Sequence, residues 1–163
     1  MSVNAAAVYK GIVNTWSAAG LDSVFNQYWD ESFRSSFPVL HDQSAGPRQP
    51  WPYCVMDAFG VSSIGVMSGG PDSVNQEYSV SLTFHIFAKR TNGKSAKELA
   101  AELAEEVQKV FGGHPSVSPR NIVLDNGEVF LCRFERDYGE AIGDDEYTWI
   151  VEYDCRIDMP VKV

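Results

Sequence analysis

Histidine is scarce in this chain: His41, His85 and His114 are the whole supply in 163 residues. Nucleophilic attack by serine or cysteine needs a base that is itself held by a third group. His85 falls on the polar alternation of a strand-like run, His114 follows a helical pattern, and His41 borders a proline loop. No motif sets a serine or cysteine on a strained elbow beside any of them. A histidine-assisted nucleophile is therefore not supported. Cysteine is equally sparse. Cys54, Cys132 and Cys155 are odd in number, widely spaced and form no C-x-x-C, which argues against a zinc knuckle or a thioredoxin-type redox site. Each lies in a strand-like stretch, where cysteine behaves as a small buried hydrophobe, so reduced structural thiols are expected.

Long apolar runs are missing too. No stretch approaches the roughly 20 apolar residues of a membrane helix, and Met1-Ser2-Val3-Asn4 lacks the basic start and apolar core of a signal peptide. The expectation is a protein made and used in the cytosol, with no membrane partner. Basic residues are outnumbered, 13 against 22 acidic, for a net charge of −9. Nucleic-acid binding draws most of its affinity from phosphate contacts, so a basic face would be needed, and no basic patch interleaved with aromatics is present. The glycine-rich segment 65–70 is followed by neither G-K-[ST] nor a helix, so it is not a phosphate cradle.

What is present suits one globular domain spanning 1–163, with a core over about 4–159. Hydrophobic residues make up 44% of the chain, with nine Phe, seven Tyr and four Trp, enough to bury a real core. Residues 4–19 read as an amphipathic helix, with Val8, Ile12 and Trp16 on one face and Gly20 as its stop. Asp22 is placed to cap a short second helix through Val24, Phe25, Tyr28 and Trp29. An extended stretch at Phe37-Pro38-Val39-Leu40-His41 leads into a proline-rich loop, 44–52, that bars a helix before Tyr53. From Tyr53 the pattern is strand. Residues 60–75 read as a long, mobile hairpin tip.

Residues 76–90 give the strongest strand, with Tyr78, Val80, Leu82, Phe84 and Ile86 alternating with Glu77, Ser79, Ser81, Thr83 and His85. Ser95-Ala96-Lys97-Glu98 fits a capping box, and Leu99, Leu103 and Val107 mark the apolar stripe of the helix it opens. Gly112-Gly113 and Pro115 end that helix. Asp125-Asn126-Gly127 suggests a tight turn between two strands. Residues 137–145 read as an acidic loop. The last strand alternates with Tyr147, Trp149, Val151, Tyr153, Cys155 and Ile157 inward, and Pro160 ends it. Hairpin connections of this kind predict an α+β fold: a mostly antiparallel sheet with a long β-hairpin and two main helices on one face.

Charge is concentrated near the end. Residues 135–158 hold nine acids against Arg136 and Arg156, a pattern that fits a solvated edge or a surface that repels DNA or meets a basic partner. Asp137-x-x-Glu140 and Asp144-Asp145-Glu146 offer oxygens to a divalent cation but lack the ligand spacing and turn glycine of a calcium loop. No metal, cofactor or catalytic residue is assigned, and the chain reads as no enzyme. Candidate interface residues are the exposed-looking Trp29 and Trp51, together with Ile64, Val66 and Met67 on the hairpin tip.

The order of elements carries a resemblance. An N-terminal helix, Pro52-Tyr53-Cys54-Val55-Met56, a long hairpin to Ser81-Leu82-Thr83-Phe84-His85-Ile86-Phe87, the helix at Ser95-Ala96-Lys97-Glu98-Leu99-Ala100 and closing antiparallel strands follow in turn. From about Ala5 to Met159 this resembles the tail terminator (tail completion) proteins of long-tailed bacteriophages. The resemblance implies a homo-oligomeric ring, a hexamer, that caps the tail tube and stops its polymerisation. It also implies partners in the tail tube protein and in a head–tail connector or neck protein, and a place at the tail–head junction of the virion after assembly in the host cytoplasm. DNA would pass through the lumen, with Asp144, Asp145 and Glu146 as candidate lumen acids. The proline-rich 33–51 stretch departs from the family's pattern and reads as an extra docking arm. Rival readings are a neck or head–tail joining protein, a small metal-dependent enzyme using the 135–146 carboxylates, and a ligand-binding module with its pocket between sheet and helix.

Overall fold

The structure, a computed structural model, describes residues 5–42, 45–70, 73–91, 93–113, 120–124 and 129–162; for residues 5, 57–70, 73–78, 120, 130 and 157–162 it describes the backbone alone. His114, Pro115 and the expected Asp125-Asn126-Gly127 turn lie outside these residues.

Helix α1 runs over Ala5–Ala18 and α2 over Leu21–Asn26. Gly20 separates them at φ 72°, a left-handed conformation that costs glycine nothing and lets one residue stop α1 and begin α2. Asp22 does not cap α2. Its carboxylate instead accepts the indole N–H of Trp16 at 2.8 Å. A single 3-10 turn, Glu31–Phe33, follows, and then the two-residue strand β1, Leu40–His41. Strand β2 covers Tyr53–Gly70, β3 Ser73–Lys89, α3 Ala96–Phe111, β4 Arg120–Val123, β5 Val129–Gly143 and β6 Glu146–Lys162.

These strands form one six-stranded sheet in the order β1-β2-β3-β6-β5-β4. Only β1–β2 is parallel; the other pairs are antiparallel. Period-2 alternation then decides which side chains meet the helices. Cys54 and Met56, Val80 to Ala88 in steps of two, Cys132, and Val151, Tyr153 and Cys155 are all buried beneath them. Trp16 lies at the centre, with ring centroids 5.5 Å from Phe25, 5.7 Å from Phe84 and 6.5 Å from Phe111. Helix α3 contributes Leu99, Ala100, Leu103, Ala104, Val107 and Phe111 to the same core. Ser95 caps it, its hydroxyl accepting the Glu98 N–H at 3.1 Å, as the capping box predicts. The α+β class and the one-sided placement of the helices agree with the sequence reading.

Three segments differ from it. The backbone of the expected tip 60–75 is strand almost throughout, with β2 and β3 paired from Tyr53↔Phe87 to Gly70↔Ser73. The acidic 137–145 segment is the end of β5 and a two-residue turn into β6, because glycines in a strand are tolerated where neighbouring rings cover them. Strand β6 runs past Pro160 to Lys162, with Pro160 opposite Asn75 of β3, so the proline does not end the strand.

Candidate interaction surfaces

The helices cover one face of the sheet and leave the other open. On that open face β3 presents His85, Phe87 and Lys89, and Tyr53 sits directly opposite Phe87. The Tyr53 and Phe87 rings stack at 4.9 Å with 16° between planes. Trp51 meets both edge-on, at 5.2 and 5.9 Å, and Lys89 Nζ lies 4.5 Å from the Trp51 ring centroid. His41 on β1 stands edge-on to Tyr53 at 5.7 Å. Burial pushes the Tyr53 hydroxyl pKa up, and the nearby Glu146 charge adds to the shift. Trp51 is thus half-buried in an aromatic cluster that remains open to solvent on one side.

The acidic turn lies at the end of the same face. Asp144 and Asp145 form it, with Asp145 at φ 56°, a left-handed position that aspartate tolerates better than most residues. Both are exposed. Asp145 pairs with Arg90 at 3.2 Å and Glu146 with Lys89 at 3.8 Å. Further along, Arg136 pairs with Glu152 and also lies over the Tyr138 ring at 5.3 Å. Exposed pairs of this kind contribute about 0–1 kcal/mol each, but they offset part of the negative charge that the sequence concentrates here.

An apolar patch lies near the β4 edge of the sheet. Val123 and Val129 are opposite each other on β4 and β5, with Leu131 two residues along, all on the open face. Their exposures of 57%, 45% and 39% are high for large hydrophobic side chains. Ile142 and Tyr138 are also exposed on β5.

No protein-family model matches the sequence, and no curated protein does. Among solved structures, the chain is similar to one in the virion of a native gene transfer agent (GTA) particle. The match has a TM-score of 0.53 at 13% identity and covers 95% of this chain and 94% of that one. The likeness is one of fold.

Against this geometry the expected site residues divide. Trp29, read as exposed, is buried: its indole N–H donates to the Pro52 carbonyl at 2.8 Å and its ring joins the core. The residues just past α2 fold back onto the body instead of continuing the helix outward. Trp51 stays at the surface, within the aromatic cluster. Ile64, Val66 and Met67 lie on β2, and their side chains fall outside what the structure describes. In the expected docking arm at 33–51, Val39 and Gln49 are buried and the Gln49 amide donates to the Pro38 carbonyl at 2.9 Å, while residues 33–36, Asp42 and residues 46–48 are exposed.

The carboxylates proposed to gather a cation do not converge. Asp137 faces the helices, accepting the Trp149 indole N–H at 2.8 Å and the Gln108 amide at 3.0 Å. Glu140, three residues on, lies on the opposite face, and no group of three or more metal-type side chains occurs among the described residues. The sequence reading missed the Val123, Val129 and Leu131 patch. Its signal was present: Val129, Leu131 and Arg133 alternate with Phe130, Cys132 and Phe134, so both faces of β5 begin apolar.

Proposed function

We propose that this chain is a structural protein of a phage-type virion, and specifically a tail terminator. Copies close into a six-membered ring on the end of the tail tube, stop the addition of further tube subunits, and offer the head connector a joining surface. The observation that carries this reading is the fold shared over nearly the full length of both chains with a component of a phage-like particle. The element order that resembles the tail terminators supports the finer assignment.

Ring closure needs two different surfaces on each subunit, one meeting the other on the next copy. The sheet supplies two unlike edges. One is β2 with the short β1, paired among the described residues at Leu40↔Cys54 and His41↔Val55. The other is β4 and the outer side of β5, with the Val123, Val129 and Leu131 patch. Buried apolar area at that second edge is the type of contact that holds a permanent oligomer.

The test is a lysate from cells whose phage lacks the gene, viewed by electron microscopy. Overlong tubes support a terminator. Tails of normal length lying free of heads support the neck or joining role instead, and intact particles contradict both. The lumen reading has its own test. Replacing Asp144, Asp145 and Glu146 by lysine leaves rings intact and slows DNA ejection; ejection at the wild-type rate contradicts an acidic lumen.

A further inference from the structure

Cys132 and Cys155 are direct partners across β5 and β6. Their Sγ atoms are 3.3 Å apart, and both residues are fully buried. Directly opposite residues of an antiparallel pair have Cα atoms about 4.5 or 5.5 Å apart, and both separations lie inside the range a disulfide spans. The sulfurs need to close by about 1.3 Å to reach the bonded distance of about 2.05 Å, a shift that small χ1 rotations supply. The third thiol is not a competitor. Cys54 lies in the row of Ile86, and Cys155 in the row of Val80; at about 3.4 Å per residue, six residues of β3 separate those rows by roughly 20 Å.

We propose that Cys132 and Cys155 form a latent cross-strand disulfide site, closed by hydrogen peroxide when the protein leaves a reducing compartment. One thiol sulfur attacks a peroxide oxygen, the O–O bond breaks, and a sulfenic acid and water result. The second sulfur attacks the sulfenic sulfur, the S–S bond forms, and hydroxide departs with the remaining thiol proton as a second water. The two electrons lost by the sulfurs reduce the O–O bond. Hydrogen peroxide is small enough to reach a buried pair, whereas a tripeptide disulfide is not. In a reducing cytosol the bond stays open. Cys155 beside it and burial keep the Cys132 thiol protonated, so closure is slow at neutral pH and accelerates in alkaline solution. Once formed, the bond fastens the β5–β6 hairpin at the end far from its Asp144–Asp145 turn. This inference does not depend on the ring.

The experiment treats the full-length protein with hydrogen peroxide, quenches it, unfolds it in an alkylating reagent and maps the peptides by mass spectrometry. The expected product carries alkylated Cys54 and a peptide pair joined through Cys132 and Cys155, lighter by two hydrogens. Its Tm rises by about 5–10 °C, and dithiothreitol reverses the rise. Cys155→Ala shows no rise on peroxide treatment; if that variant does not fold, the dithiothreitol reversal in the wild type serves as the control. Three alkylated thiols at a peroxide dose that has oxidised the methionines overturn the proposal. So does sulfinic acid at either position, or a bond between different chains.

Discussion

Tyr153 shows how much of the core depends on single polar atoms. Its ring packs among Phe84, Phe111 and Phe134, and its hydroxyl donates to the Gly112 carbonyl at 2.5 Å, joining the central strand to the end of α3. Tyr153→Phe removes the donor and leaves that carbonyl buried without it, a loss of about 1–3 kcal/mol that chemical denaturation will measure. Burial first, and the surrounding thiols and Asp137 second, push the Tyr153 pKa well up. The folded state therefore keeps this proton where the unfolded chain releases it, so the associated stability is complete below about pH 10 and declines above it, by about 1.4 kcal/mol per pH unit. The buried Cys54 thiol is raised in the same direction and begins its decline from about pH 8.5. Stability in the wild type should accordingly fall from about pH 8.5 and more steeply beyond pH 10, with Tyr153→Phe lacking the steeper part. Tm measured from pH 7 to 11 decides this; a flat profile contradicts it.

At the scale of elements, the β5–β6 hairpin carries the sharpest local requirement. A Cβ on Gly139 would come within 2.5 Å of the Tyr147 ring and 2.6 Å of the Trp149 ring, which lies over it in register. Trp149 has little room to give way, because Asp137 holds its indole N–H. Gly139→Ala should cost about 1–3 kcal/mol through this overpacking, seen as a lowered denaturation midpoint with the m-value unchanged; a neutral result contradicts the ring cover. The same contact explains what the sequence did not disclose. Gly139, Gly143 and a run of acids carry loop composition, and only the cross-strand rings, which periodicity along one strand does not reveal, make them strand. Where burial alone decides, the sequence was legible: Val80 to Ile86, Leu99 to Val107 and Val151 to Cys155 follow the faces expected of them. Trp29 was not, because a tryptophan beyond a helix end gives no pattern to read, and its position depends on a carbonyl 23 residues away at Pro52.

The whole molecule is a one-layer sheet with helices on one side, an open aromatic face, and two unlike edges. Element order and fold class were legible because periodicity and capping signals mark the main helices and strands, although glycine, proline and acidic residues misplaced three of the boundaries. The surfaces by which copies would meet in the proposed ring were not, since a subunit contact leaves no period in the chain; among the described residues, the clustered exposure of Val123, Val129 and Leu131 offers one candidate. Val129→Asp with Leu131→Asp should leave the subunit folded, as both side chains are already exposed, while weakening assembly at least tenfold. The measurement that tests the account most directly is the mass of the purified wild-type protein by size-exclusion chromatography with light scattering, across a wide concentration range. The account predicts a closed hexamer that the double variant breaks down. A wild-type protein that stays monomeric at every concentration contradicts it.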